Sequence, residues 1–445
     1  MKALSVSHLM MAAFITVLAG CGSTGSDVGG SNTATTNEVN TAGITPAENP
    51  LAAPAVDPSV VDGVKPLYAT GVSGTMAPAD FRTHYNVPAN LDGTGTTVAI
   101  VDAAGSGSPE ADLAKFSSYY NLPACTVASG CLTMIDLSNG VKPILNSSSD
   151  WYVEVALDIQ SVHAIAPKAK IILVTAKSSS MNNMLAAVVK ASQQPGVVAI
   201  SMSWGGSESV SETSIYDVSL KSIQVQGIVL FASAGDSGNN GTNQEYPAVS
   251  PYVTSVGGTS IIMPKTTNSL MSTLTSEIAW TYGGGGMSKY ETMPSFQTST
   301  LLGTPVYSAA IGQYGTVRRM MPDVSYDADN TTSPMSIIVN NNWMFVGGTS
   351  VGSPHWAAIF ALLVQDRVND KNAVQMKTLV MNTMGGFNGM LYNAKVATTD
   401  FYDILTGSDK YAAAPGAAAL YSATKGYDAV TGLGVPNVTA LAASF

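Results

Sequence analysis

Val197-Val198-Ala199-Ile200-Ser201-Met202-Ser203 is a largely apolar run with no regular alternation between apolar and polar positions. A strand with one wet face alternates every second residue, whereas a strand covered on both faces reads as a continuous apolar run. The flanking sequence fits the second case. Met181 to Gln193 before the run and Ser211 to Gln226 after it carry helical periodicity. Lys170-Ile171-Ile172-Leu173-Val174 and Ile228-Val229-Leu230-Phe231-Ala232-Ser233 are further continuous apolar strands. Upstream, Gly95-Thr96-Thr97-Val98-Ala99-Ile100-Val101-Asp102 is another, and Trp151 to Ile165 reads as a helix burying Val153, Leu157 and Ile165. Met76 to Arg82 predicts a short capped helix, and Trp343 to Gly347 a short strand. Strands alternating with helices predict an α/β fold with a parallel central sheet covered by helices on both faces. Nothing repeats at a fixed period and nothing marks a second domain.

The chain has 445 residues, 45% of them hydrophobic and 11% charged, with a formal net charge of −10 and 42 glycines. That composition excludes a disordered chain. It also excludes nucleic acid as a partner, because phosphate binding needs concentrated Lys and Arg. Residues 1–20 read as a secretion signal: Lys2 near the start, an apolar run from Leu9 to Leu18, then small residues. The run is too short for a permanent membrane span. Leu18-Ala19-Gly20-Cys21 resembles a bacterial lipobox, which implies cleavage before Cys21 and lipidation of its thiol and new amino terminus. The expected location is the outer membrane or cell surface, held by the lipid alone; a soluble periplasmic or secreted form is the alternative. Residues 21–62, rich in Gly, Ser, Thr, Asn, Ala and Pro, read as a flexible tether, and 63–445 as one domain, expected to be monomeric. Cys125 and Cys131 remain; in an exported chain they are expected to pair and staple a surface turn.

Sites in a parallel sheet gather at the carboxyl ends of the strands, where Asp102, Trp204 and Asp236 each sit. Gly347-Gly348-Thr349-Ser350-Val351-Gly352-Ser353-Pro354 precedes the apolar run His355 to Leu363. Two glycines and a proline suited to a first helical turn place Ser350 at a loop-to-helix junction, where N–H groups and the positive helix end face outward. The same signals describe an ordinary N-cap, so the residues accompanying Ser350 decide. Glu154 and Asp158 are four apart and share a helix face, either as a solvated surface pair or as a coupled acid pair. A mostly apolar helix in a charge-poor chain favours coupling. Gly235-Asp236-Ser237-Gly238 reads equally as a turn or as a site.

A serine hydrolase ordinarily uses an imidazole base. Of the 4 histidines, His8 lies in the signal, His84 precedes the sheet, His163 closes the Glu154 helix, and His355 follows Ser350 on its own helix. None sits at a strand-end turn that could meet Ser350, and packing or capping is the expected role of His163 and His355. Glu154 is therefore the candidate base.

Together these residues resemble the sedolisin family of serine-carboxyl peptidases, relatives of subtilisin that use glutamate in place of histidine. The matching stretches are Trp151 to Asp158, His163 to Pro167, Ser201 to Gly205, Ser233 to Gly238, Tyr246 to Thr259, Pro322 to Ser325 and Gly348-Thr349-Ser350, in the family's order. The resemblance implies a subtilisin-like three-layer fold and an acid-acting endopeptidase on protein or peptide substrates, with an acyl-enzyme on Ser350. Glu154 would be the general base, Asp158 its proton-sharing partner, and Asp236 the oxyanion donor, which requires a protonated carboxyl. Asp102 and Trp204 match positions that extend the proton network, although glutamate is commoner at the first. Asp403, Ile404, Thr424, Gly426 and Asp428 match a site for one Ca²⁺, built from two carboxylates, three backbone carbonyls and water. Glycine is commoner at the Thr424 position, where only the carbonyl is needed. Family members carry a long N-terminal prosegment; with only the tether ahead of this domain, folding without one, or latency imposed by pH, is expected. Two alternatives stand beside the endopeptidase: a tripeptidyl-type exopeptidase, and a non-catalytic surface binding protein on a peptidase scaffold.

Overall fold

The continuous apolar runs assemble side by side in the computed structural model. It describes residues 45–46, 74–103, 108–138, 150–239, 241–262, 276–370, 374–393, 399–409 and 418–445. The signal at 1–20, Cys21 and all of the expected tether except Thr45–Pro46 lie outside the described residues. The strands are β1 (Thr97–Ala103), β2 (Leu132–Asp136), β3 (Lys170–Ala176), β4 (Val197–Met202), β5 (Trp204–Ser207), β6 (Val229–Ser233), β7 (Glu245–Tyr246), β8 (Thr254–Ile261), β9 (Glu277–Ala279) and β10 (Val324–Asp327). The central sheet runs β9-β8-β6-β4-β1-β3-β2, with β10 also paired to β8. Its pairings are parallel apart from β9 with β8.

Strand side chains point alternately to opposite faces, so each apolar run feeds two cores. Val98 and Ile100 of β1 join one core with helices α3 (Asp150–Ile165) and α6 (Thr349–Asn369). Ala99 and Val101 join the other with α4 (Met181–Ser192) and α5 (Asp217–Gln224). The short α1 (Pro78–His84) and α2 (Pro109–Tyr119) also lie on the α3 side. This is the three-layer α/β sandwich expected from the sequence, carried by the compact unit 42–445.

The structure departs from the expected elements in four places. The helix predicted from Ser211 to Gln226 is two pieces, a π-helical turn at Glu212–Tyr216 followed by α5. Strand β2 has no continuous apolar run, because it is an edge strand in which Leu132 alone is fully covered. Pro354 lies inside α6 rather than in its first turn, since the helix already begins at Thr349. Within the stretch read as tether, Thr45–Pro46 pairs antiparallel with Gly205 and Trp204 at the start of β5. The Cys125–Cys131 disulfide is present, with a Cα–Cα distance of 5.0 Å. It closes a turn in which the Leu132 N–H donates to the Thr126 carbonyl at 3.1 Å, fixing the entry to β2.

The motif at Pro322–Ser325 has a structural role. Arg319 and Asp323 are both 0% exposed, and the guanidinium meets the carboxylate in two parallel contacts of 2.7 and 2.5 Å. Asp323 also accepts from the Ser255 N–H at 2.8 Å and the Tyr392 hydroxyl at 2.9 Å, which ties β10 to β8 and to the C-terminal third of the chain. Removing one partner strands the other charge without water. Asp323→Ala is expected to destabilise the fold by about 3–5 kcal/mol, measured by denaturant unfolding at constant pH.

Candidate active site

Glu154 and Asp158 project from α3 into the protein, 3% and 0% exposed. Burial removes the solvated-surface reading of the pair. Ser350 is the second residue of α6 and is also fully buried. The turn before it requires glycine twice over. Gly348 has φ 94°, in the left-handed region, and a Cβ there would come within 2.3 Å of the Asp236 Oδ2. Helices α3 and α6 pack against each other on one face of the sheet, and α6 also lies across β4 and β6.

Two sets of hydrogen bonds, one on Ser203 and one on Thr349, flank Ser350. The Ser203 hydroxyl, just past β4, donates to Asp158 Oδ1 at 2.8 Å and lies 3.3 Å from the Ser350 carbonyl oxygen. The Thr349 N–H and hydroxyl both donate to Asp236 Oδ1, at 2.8 and 2.7 Å. The Gly235 N–H in turn donates to the Thr349 hydroxyl oxygen at 3.1 Å. Asp236 thus sits in a turn after β6, as its local sequence suggests, yet its carboxyl reaches across to the neighbour of Ser350. The Ser350 hydroxyl itself has no hydrogen-bond partner among the described residues.

Burial and then the charges of Asp102 and Glu154 hold the Asp158 carboxyl well above the usual carboxylate range. Burial alone pushes Asp102 up to about 8. Acids this close in a dry site give up their protons in separate steps, so the group retains at least one through mildly acidic pH. Asp102 acts on Asp158 through charge. Neither of its oxygens has a hydrogen-bond partner among the described residues, and the Trp204 indole donates instead to the Val101 carbonyl at 2.7 Å. Among the described residues no hydrogen bond runs between Asp102 and Trp204, the extension the resemblance implies. Aspartate is one methylene shorter than the glutamate commoner at this position, and the indole bonds to backbone.

The three described histidines, His84, His163 and His355, stay out of the site. His355 is fully buried between Phe81 and Tyr326, with ring centroids 4.9 and 4.7 Å away, and burial lowers it to about 3. His163 pairs with the Pro123 carbonyl at 2.9 Å, and His84 with Glu277 at 2.7 Å. Of the residues expected at a calcium site, Asp403 and Asp428 both reach the 424–426 turn. Asp403 accepts from the Gly426 N–H and buried Asp428 from the Thr424 N–H, each at 2.8 Å, so both carboxylates grip one loop. Sequence reasoning missed Ser203 and Thr349 as contributors. Each carries an unremarkable hydroxyl, and only adjacency to Trp204 and to Ser350 pointed at them.

Residues 127–401, more than half of the chain, match the subtilase family. The chain is similar to kumamolisin of Bacillus sp. (strain MN-32), 29% identical over 377 residues that make up 81% of this chain and 61% of kumamolisin. It is also similar to tripeptidyl-peptidase sed4 of Aspergillus fumigatus, 30% identical over 245 residues, 48% of this chain and 37% of that one. The chain thus spans less than two thirds of the length of these relatives. Its fold is similar to the solved structure of Pseudomonas sedolisin, a serine-carboxyl proteinase complexed with two molecules of pseudo-iodotyrostatin. The TM-score is 0.65 at 23% identity, covering 84% of this chain and 98% of that one. With its parallel sheet, its serine at the start of a buried helix and a match over most of the folded region, this chain belongs to the subtilase family.

Proposed function

We propose that the protein is an acid-acting serine-carboxyl endopeptidase of the sedolisin kind, cleaving protein or peptide substrates through an acyl-enzyme on Ser350. The observation that carries this reading is the two sets of hydrogen bonds flanking Ser350, Ser203 with Asp158 and Thr349 with Asp236. Ser350 Oγ attacks the scissile carbonyl carbon while Glu154 takes the hydroxyl proton. Asp236, protonated, donates to the oxyanion of the tetrahedral intermediate. Its Oδ1 accepts from both Thr349 donors, which fixes the orientation of the carboxyl beside the Ser350 turn. Glu154 then returns its proton to the leaving amine, and water repeats the sequence to release the acid product. A carboxylate base works best near its own pKa and an ionised Asp236 would repel the oxyanion, so both steps favour acid.

Strand β5 begins one residue after Ser203, and Thr45–Pro46 lies along its edge as an added antiparallel strand. An edge that takes up an internal piece of chain suits an extended substrate with residues on both sides. This favours the endopeptidase reading, while relatives named tripeptidyl-peptidases support the exopeptidase reading. Cys21 as a lipid attachment point and a monomeric state belong to the same proposal, on the lipobox and composition alone.

One Ca²⁺ would be held by the carboxylates of Asp403 and Asp428 and the carbonyls of Ile404, Thr424 and Gly426. Hard oxygen donors from two segments that already share one loop fit that ion. Bound there, the cation would neutralise two carboxylates and cross-link the segments, a stabilising role away from Ser350.

Three outcomes test these readings. Digestion of an unfolded protein near pH 4 is expected to give peptides of mixed length, with Ser350→Ala lowering the rate by at least ~10³-fold. Tripeptides alone would shift the assignment to the exopeptidase, and equal activity of the two proteins would leave a binding protein on a peptidase scaffold.

Stability is expected to fall with rising pH. Burial raises the Asp102 carboxyl from its ordinary 3.8 to about 8 on folding, so the folded state binds the extra proton. Its contribution is complete below the unfolded value and is lost as pH rises through the folded one. The melting temperature of Ser350→Ala should drop across this window, and adding Asp102→Asn should flatten the slope.

Chelation of calcium is expected to lower the melting temperature of Ser350→Ala. Asp428→Asn should remove that response.

A further inference from the structure

Pro354 carries no amide hydrogen, and it lies four residues after Ser350 within α6. The helical bond from residue 354 to the Ser350 carbonyl therefore cannot form. That carbonyl belongs to the nucleophile's own residue, which is fully buried, and a buried carbonyl without a donor is costly. The group that reaches it comes from outside the helix: Ser203 Oγ, 3.3 Å away. The same hydroxyl contacts Asp158 Oδ1 at 2.8 Å. A serine hydroxyl has one proton and cannot donate fully to both oxygens.

Resting on the peptidase reading above, we propose that Ser203 is a positioning residue that couples the protonation state of Asp158 to the backbone of the nucleophile. With Asp158 ionised, the Ser203 proton points at Oδ1. When Asp158 gains a proton on Oδ1, that carboxyl donates to Ser203 Oγ, and the hydroxyl proton turns to the Ser350 carbonyl. One proton has been added to Asp158; Ser203 keeps its own and only reorients it. The ionisable groups acting on Asp158 are Asp102 from β1 and Glu154 from its own helix, both acidic, so the proton it gains stays within this group of carboxyls. Ser203 is 0% exposed and sits between sheet and helix, where side-chain rotation is the motion available to it.

The distinctive consequence concerns pH. A donor to the ionised carboxylate makes ionisation easier, so removing it makes Asp158 harder to ionise. Ser203→Ala is expected to lower kcat about ten- to a hundredfold, the size of a lost hydrogen bond to a charged group, with KM little changed. The acid limb of its kcat/KM profile should move to higher pH. Ser203→Thr, which keeps the hydroxyl, should restore the limb.

A second readout does not depend on turnover. In a Ser350→Ala background, the infrared C=O band of protonated carboxyls, assigned by its loss in Asp158→Asn, should titrate at higher pH when Ser203 is Ala than when it is Ser. The comparison uses proteins whose unfolding midpoints match. An unchanged infrared midpoint in Ser203→Ala would overturn the proposal. So would a Ser203→Ala pH profile identical to wild type. Wild-type activity that does not require Ser350 would instead sink the peptidase reading, and the infrared titration would still decide the role of Ser203.

Discussion

The site is governed by the crowding of acids in a dry interior. Asp102, Glu154 and Asp158 come from β1 and α3, all three nearly or completely inaccessible to water. No cationic group is among the influences acting on Asp158. Elsewhere the protein shows how it treats a buried charge it means to keep: Asp323 is given a full guanidinium, a hydroxyl and a backbone N–H. Asp158 has no such cationic partner among the influences acting on it, which leaves proton retention as the way to lower its energy. A carboxyl that retains a proton into mild acid is one that can take and return protons there.

The turn that carries Ser350 is shaped by the same economy of space. Gly348 turns left-handed and leaves no room for a side chain against Asp236, which lets the carboxyl approach the first turn of α6. Thr349 then spends both of its donors on a single oxygen of Asp236, giving the carboxyl a defined orientation. Pro354 releases the Ser350 carbonyl from the helix ladder at the point where Ser203 arrives from the sheet. Three ordinary residue types, a glycine, a threonine and a proline, thereby decide which neighbours Ser350 can have.

The sheet contributes distance and rigidity. Ser203 and Asp236 each follow a parallel strand at its carboxyl end, β4 and β6, and those strands are hydrogen-bonded neighbours. Helix α6 lies across both. Residues far apart in the chain are thus delivered to one edge of a buried layer whose two faces are filled by separate cores.

Much of this was legible in the chain itself. Continuous apolar runs report burial on both faces, so the parallel sheet, its helices and the clustering of Asp102, Trp204 and Asp236 at strand ends follow from local pattern. The lack of a histidine at a strand-end turn and the four-residue spacing of Glu154 and Asp158 pointed to the carboxyl pair on α3. Tertiary structure alone decided which reading of that pair holds, because burial depends on what packs over a helix and not on its own spacing. It also decided that the Trp204 indole turns to the Val101 carbonyl, that Pro354 falls inside α6, and that Ser203 touches both Asp158 and the Ser350 carbonyl. Those contacts span up to 147 residues of sequence separation. Periodicity encodes which face of an element is buried, while hydrogen bonds between elements are set by how the layers meet.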